Sequence, residues 1–163
     1  MLTEYTTYAD IRAALGVSDE ELSDDTLGLD LYLTLLEEEI VDAHASLPAA
    51  WDALPENADT WTADQRRFAA LFKLFSTFAV AYGLLDSAEL FGFLKVADGR
   101  ASTERVPKSY ENLRINIPAM YARVKAKLLA ALLLVDPGAS LATVPTIAFV
   151  SAVPGSIDPV TGT

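Results

Sequence analysis

The densest group of reactive side chains in this sequence is a carboxylate run, Glu37, Glu38 and Glu39, followed by Asp42. Carboxylates four residues apart share one face of a helix, where they could bind a divalent cation or, with shifted pKa values, transfer protons. A solvated acidic helix face is the simpler interpretation, and it predicts no metal site. The single histidine, His44, lies near the predicted end of the same helix, where it interacts with the helix dipole.

Residue types that serve other common chemistries are missing. The sequence has no cysteine, which removes thiolate nucleophiles, disulfides and cysteine-based metal sites. It also has no phosphate-binding glycine loop, no Gly-x-Ser-x-Gly motif and no His-Glu-x-x-His motif. We therefore predict that the protein is not an enzyme and uses no cofactor, with a carboxylate-based enzyme or a metal protein as the least favoured class.

Length and composition indicate one ordinary domain with an apolar core. The chain has 163 residues, of which 52% are hydrophobic and 21% charged, so intrinsic disorder of the whole chain is excluded. A net charge of −11 argues against a protein that grips nucleic acid through its phosphates. The N-terminal segment lacks the pattern of a secretory signal, and a cytoplasmic location is the default expectation.

The charge is distributed unevenly along the chain. Residues 1–64 contain 16 acids and one base, whereas residues 65–135 contain 5 acids and 11 bases. The acidic part is either solvated surface or one half of a head-to-tail contact between identical subunits. The candidate charges for a subunit contact or a channel wall are Glu37, Glu38, Asp42, Arg66, Arg67, Arg100 and Arg105.

Apolar periodicity and capping motifs predict an all-α protein, a small bundle of about four helices. The first helix is bounded by Thr7 and Gly16, and the second runs from about Asp25 to Ser46, with its apolar stripe starting at Leu29. Residues 47–61 form a connector whose tryptophans pin it to the core.

A third helix is apolar nearly all round, which predicts the centre of the bundle, with Phe72, Phe75 and Phe78 in the core. Phe68–Leu85 has the length of a short membrane span, but Lys73 interrupts it and disfavours that alternative.

Two proline- and glycine-containing sites divide the rest of the bundle. Asp98-Gly99 predicts either a hairpin turn or the end of a helix. The last helix is predicted to begin at Tyr110, to break or kink at Pro118 and to end at Asp136.

The predicted bundle domain covers residues 1–135, and an extended proline-rich C-terminal arm covers residues 136–163. The arm holds four of the eight prolines and no lysine or arginine. It is too apolar for an ordinary solvated tail, so we expect it to lie on its own domain or on a partner's sheet edge, with a frayed terminus as the alternative. Its candidate partner-binding residues are Ile147, Phe149, Val150, Val153 and Ile157.

Five segments follow one another in a characteristic order: residues 15–17 at the end of the first helix, residues 24–27 and 37–40, the run 96–102, and the last helix over 110–134. In this order they resemble the head–tail connector proteins of tailed bacteriophages, also called adaptor or head-completion proteins. The resemblance covers residues 5–134 as an order of elements. The proline at position 118 and the long arm after Asp136 depart from it.

The resemblance implies a structural virion protein that forms a ring, commonly a dodecamer, under the portal protein and extends the DNA channel toward the tail. Its partners would be identical subunits, the portal protein and the tail or a second neck protein. DNA would pass without sequence-specific binding, and no membrane would be involved. The implied location is the virion neck, after assembly in the host cytoplasm. The rival class is an intracellular helical adaptor or regulatory protein that binds a partner through its C-terminal arm.

Overall fold

A computed structural model describes residues 2–86, 95–97, 102–104 and 107–139, with side chains for residues 2–85 and 112–139. It confirms the predicted all-α class. The elements in the described chain are α1 (Tyr8–Leu15), α2 (Asp24–Leu27), α3 (Asp30–Ala43), α4 (Leu47–Asp52), α5 (Ala63–Asp86), β1 (Lys95–Ala97), β2 (Ser102–Glu104) and α6 (Pro107–Val135). Short 3₁₀ turns cover Leu2–Glu4 and Ala58–Thr60.

Helix α1 has the boundaries that its capping residues predict. The Thr7 hydroxyl oxygen accepts a hydrogen bond of 3.1 Å from the Asp10 N–H, which satisfies one donor of the first turn. At the other end, Gly16 has φ of 65°, in the left-handed region, and its N–H bonds the Ala13 carbonyl. Glycine adopts this conformation without steric cost, so it ends the helix here.

The predicted second helix is two helices, because the chain leaves the helical path between α2 and α3. Leu29 has extended backbone angles, φ −64° and ψ 136°, and its side chain is 53% exposed. Gly28 approaches α1 so closely that a Cβ there would stand 3.3 Å from the Tyr8 hydroxyl. The prediction of one continuous helix with Leu29 in its apolar stripe was therefore wrong. The buried side chains of α3 are Tyr32, Leu36 and Ile40.

Helix α5 is the centre of the bundle, as predicted, since α1, α3 and α6 all pack against it. Phe72 and Phe75 are 0% exposed, and Trp51 of α4 stacks on Phe72 with ring centroids 4.6 Å apart. Trp51 thus pins the connector to the core. Phe78 is only half-buried, and Tyr82 is 37% exposed, so the apolar stripe of α5 reaches the surface toward its end.

The length and hydropathy of α5 would allow it to cross a membrane. Its most apolar stretch of 18 residues has a mean hydropathy of 1.7, and 61% of that stretch is buried inside the protein. Two hydroxyls in this helix are buried and bonded: Ser76 donates to the Phe72 carbonyl at 2.9 Å, and Thr77 lies 2.7 Å from the Thr6 hydroxyl. This burial is the arrangement expected of a central bundle helix.

Helix α6 continues through Pro118, so the break predicted there was wrong, whereas the alternative, a kink, stays a prediction. Proline removes one helical hydrogen bond because it has no N–H. The contact between α6 and α5 is the most extensive between two elements in the described chain. Ile117, Val124 and Leu128 are buried in α6, and burying such side chains outweighs the loss of one bond.

Between α5 and α6, the strands β1 and β2 pair antiparallel with Val96 opposite Thr103. Of the two alternatives for this segment, the hairpin is therefore confirmed. Ala97 pairs with Ser102, so the connection is longer than a two-residue turn made of Asp98 and Gly99 alone.

The folded unit extends past the predicted domain boundary at residue 135. Helix α6 ends at Val135, as predicted, and the Asp136 carboxylate then accepts a hydrogen bond of 3.0 Å from the Gly138 N–H. Ala139 is 4% exposed and belongs to the core. The described domain therefore includes the first four residues of the predicted arm, and residues 140–163 lie outside the described chain.

Candidate interaction surfaces

The exposed side of α3 carries the acidic residues that the sequence singled out. Glu37, Glu38 and Asp42 are all exposed. Residues 30–43 contain five acids and no base. Like charges one turn apart, such as Glu38 and Asp42, repel each other and cost helix stability. This side of α3 is therefore stabilised when cations approach it.

Large aliphatic side chains lie among these acids. Leu31 is 58% exposed, Leu35 is 44% exposed and Val41 is 51% exposed. Leu31 and Leu35 are one turn apart, and the same side of the helix continues to Glu38 and Asp42. We name this surface the α3 outer face; it comprises Leu31, Leu35, Glu37, Glu38, Val41 and Asp42.

The third carboxylate of the run has a different role, which the sequence did not reveal. Glu39 is half-buried, and its carboxylate accepts a hydrogen bond of 2.5 Å from the Tyr121 hydroxyl of α6. Tyr121 stacks on Tyr82, with centroids 5.5 Å apart, and the Lys125 ammonium lies 5.7 Å from the Tyr121 ring centroid. In the sequence, the signal for this different role was that Glu39 directly precedes Ile40, which lies in the apolar stripe of the helix.

Burial raises the pKa of Tyr121 far above its ordinary value, and the hydrogen bond to Glu39 and the negative charge of that carboxylate raise it further. The hydroxyl therefore keeps its proton and donates a hydrogen bond to the Glu39 carboxylate. This contact joins α3 to α6 within one subunit. It is a structural contact, so Glu39 does not belong to the α3 outer face that its exposed neighbours form.

The basic residues predicted to pair with the acidic face have local partners or neighbours. Arg66 and Arg67 are exposed near the start of α5, and Arg66 donates a 3.3 Å hydrogen bond to the Asp59 carbonyl. Asp64 is three residues before Arg67, which places the two charges on neighbouring positions of the helix surface. The positive potential at the start of α5 is consequently reduced by nearby acids.

A second surface, which the sequence analysis did not single out, lies on α6. Residues 112–135 contain four bases and no acid. Arg123 and Lys127 are exposed one turn apart, with Met120 at 36% and Leu134 at 53% exposure on the same side. Ile115 is 69% exposed. We name this surface the α6 outer face; it comprises Ile115, Met120, Arg123, Lys127, Leu133 and Leu134.

His44 ends α3, and its imidazole serves the local backbone. The Nδ1 atom accepts a hydrogen bond of 3.1 Å from the Ser46 N–H, directly after the helix. Within the described residues, no group of three or more histidine or carboxylate side chains is placed to hold a metal ion.

A shallow groove of about 250 Å³ lies between α4 and the end of α6. One ionisable side chain, Asp136, lines it, so this groove lacks paired groups for proton transfer. Its other walls are mainly small or aliphatic side chains of Ala49, Ala50, Ala53, Leu54 and Val135.

The remaining predicted site residues lie outside the described residues. They are the bases Arg100 and Arg105 and the arm residues Ile147, Phe149, Val150, Val153 and Ile157.

The functional proposal for this chain is based on its surfaces. No family model, curated protein or solved structure matches the chain. The α3 and α6 outer faces stand out because each combines charges of one sign with exposed aliphatic side chains. Such surfaces are typical of contacts between proteins.

Proposed function

We propose that the chain is a structural head–tail connector of a tailed bacteriophage. In this role it forms a ring under the portal protein, extends the DNA channel toward the tail and catalyses no reaction. The order of elements that resembles this family supports the proposal. The observation that carries it is the presence, on one subunit, of an acidic and a basic outer face, because a ring needs both halves of a contact on every subunit.

The acidic balance of the protein suits a channel that DNA must pass. Residues 1–64 carry 16 of the 23 acids, and exposed carboxylates such as Asp19, Glu20 and Asp25 do not belong to the α3 outer face. Phosphates are repelled by a negative wall, so DNA slides past without sequence-specific binding.

The proposal assigns the partners in the order that the resemblance implies. Identical subunits form the ring, with twelve copies as the expected number, and the portal protein and a tail or second neck protein contact its two ends. The arm over residues 140–163 is the segment we assign to the portal. The protein resides in the virion neck after assembly in the host cytoplasm, and this role needs neither a cofactor nor a membrane.

Mass photometry of the purified chain, alone and with a portal protein from the same genome, tests this function. We expect a species whose mass equals one portal ring plus a complete ring of this chain. An unrelated ring-forming protein in place of the portal is the control and should give no such species. Monomers in both samples would contradict the proposal and favour an intracellular adaptor.

A further inference from the structure

We infer that the α3 outer face of one subunit binds the α6 outer face of a second copy of this chain. The inference deepens the proposed function, and it rests on that function for its biological setting. It states which surfaces join neighbouring subunits, and it resolves whether the acidic face lines the channel or the subunit contact.

The charges of the two faces are complementary. Residues 30–43 hold five acids and no base, whereas residues 112–135 hold four bases and no acid. Glu39 is engaged inside the subunit by Tyr121, and Lys125 lies over the Tyr121 ring. The exposed acids of the α3 outer face and the exposed Arg123 and Lys127 of the α6 outer face have opposite signs and attract each other across a contact.

Exposed aliphatic side chains distinguish a protein contact from a channel wall. Leu31, Leu35 and Val41 are each between 44% and 58% exposed on the α3 outer face. A wall that faces water and DNA gains nothing from them, because apolar surface is stabilised only when it leaves water. Ile115 and Leu134 present matching apolar surface on the α6 outer face. The α3 outer face therefore belongs in a contact.

The lengths of the helices are compatible with this pairing. Helix α3 has 14 residues and is about 21 Å long, and residues 112–135 of α6 extend about 36 Å. The shorter face fits along the longer one. The two faces are different surfaces, so the contact is head-to-tail, and it repeats around a ring when the rotation between subunits closes.

The α6 outer face is a better partner than the start of α5. Arg66 already donates a hydrogen bond to the Asp59 backbone carbonyl, and Arg67 lies one turn after Asp64, whose negative charge reduces the local positive potential. No acid occurs in residues 112–135. We therefore assign the pairing to Arg123 and Lys127 in place of Arg66 and Arg67, and the other two predicted bases, Arg100 and Arg105, lie outside the described residues.

A charge-swap experiment on the full chain tests this contact. One variant carries Glu37→Lys, Glu38→Lys and Asp42→Lys, and the other carries Arg123→Glu and Lys127→Glu. Each variant alone has faces of like charge, and we expect its self-association, measured by sedimentation velocity at low salt, to weaken at least about 10-fold. An equimolar mixture offers opposite charges at every contact. We expect it to recover wild-type association as alternating copies of the two variants.

A matched control separates the contact from the overall change in charge. The variant with Asp19→Lys, Glu20→Lys and Asp25→Lys has the same charge change as the acid-reversal variant, at exposed positions outside α3. We expect it to associate like the wild-type chain. Circular dichroism of every variant should show wild-type helix content, because all the altered side chains are exposed.

The inference is overturned if the mixture of the two reversal variants fails to recover association, if either variant alone associates normally, or if the wild-type chain stays monomeric. It is also overturned if acid reversal abolishes portal binding while self-association persists, since the portal would then be the occupant of the α3 outer face. Recovery in the mixture without any binding to the portal supports the contact and contradicts the proposed connector function. If both reversal variants form normal rings on the portal, the connector function is supported and the contact between the α3 and α6 outer faces is contradicted.

Discussion

At the scale of single residues, Tyr121 is the side chain through which α6 holds α3. Its hydroxyl donates to the half-buried Glu39 carboxylate, and its ring stacks between aromatic neighbours on α5, at 5.4 Å from Phe75 and 5.5 Å from Tyr82. The hydrogen bond to a charged acceptor makes this contact stronger than one between neutral groups.

Replacing Tyr121 with phenylalanine should lower the free energy of unfolding by about 1–2 kcal/mol, because Glu39 loses a donor while the ring packing is kept. The pKa of Tyr121 lies above its ordinary value of 10.0 in the folded state, so the unfolded chain loses this proton first as pH rises. The stabilisation from the Tyr121 hydroxyl is complete below the ordinary pKa of 10.0 and declines as the pH rises above it.

Urea unfolding at neutral pH and at pH about 11 measures this effect. We expect the difference in stability between wild-type and Tyr121→Phe to shrink at the higher pH. A difference that stays constant or grows would contradict the role assigned to the hydroxyl.

Phe75 tests the core at the same scale. It is 0% exposed, and Phe75→Ala should cost about 3–5 kcal/mol because it leaves a cavity beside α6. Phe78→Ala is the matched control: its side chain is half-buried, and the loss of stability should be smaller. Thermal or urea unfolding of both variants provides the comparison, and an unchanged Phe75→Ala protein would refute its burial.

Core aromatics were easier to predict than polar contacts. Phe72 and Phe75 follow helical spacing inside an apolar helix, and that pattern is a local property of the sequence. The Glu39–Tyr121 hydrogen bond joins positions 82 residues apart, and no local pattern specifies such a pair. The α6 outer face was not predicted either, because the exposed side of α6 depends on how this helix packs on α5. The structure shows that Arg123 and Lys127 lie on the exposed side.

At the scale of elements, two local signals were overruled by packing. The periodicity after Asp25 predicted one helix, but Gly28 lets the chain approach Tyr8 and turn before α3. Pro118 predicted a break, but the packing of α6 along α5 keeps the helix continuous. The capping residues Thr7 and Gly16, in contrast, act within their own turns, so the sequence specified both ends of α1.

Pro118→Ala should therefore stabilise the protein. Alanine restores the missing N–H donor and has a helix propensity about 3 kcal/mol better than proline in a helix interior. Pro118 is half-buried, so lost ring contacts offset part of the gain, and we expect a net stabilisation of about 1–2 kcal/mol. A urea midpoint below that of the wild-type chain would show that the ring contributes more than the hydrogen bond it removes.

At the scale of the whole molecule, the C-terminal arm is the segment assigned to another protein. Removing residues 140–163 keeps Ala139 and the rest of the described core. Helix content and thermal midpoint should change little, whereas incorporation into portal-containing particles should be lost, because the proposal places the docking contact on the apolar arm.

Circular dichroism and quantification of the chain in purified particles measure the two effects of this deletion. Unfolding of the shortened chain would place the arm on its own bundle. Normal incorporation of a folded shortened chain would remove the arm from the portal contact.

In the connector proposal, a central apolar helix builds the subunit, two outer faces join subunits, and the arm attaches the ring to the portal. Electron cryo-microscopy of the chain co-expressed with a portal protein from the same genome tests the proposal most directly. We predict a closed ring of this chain under the portal, with α3 of each subunit against α6 of the next and a channel along the ring axis. A portal ring without this chain attached would contradict the account.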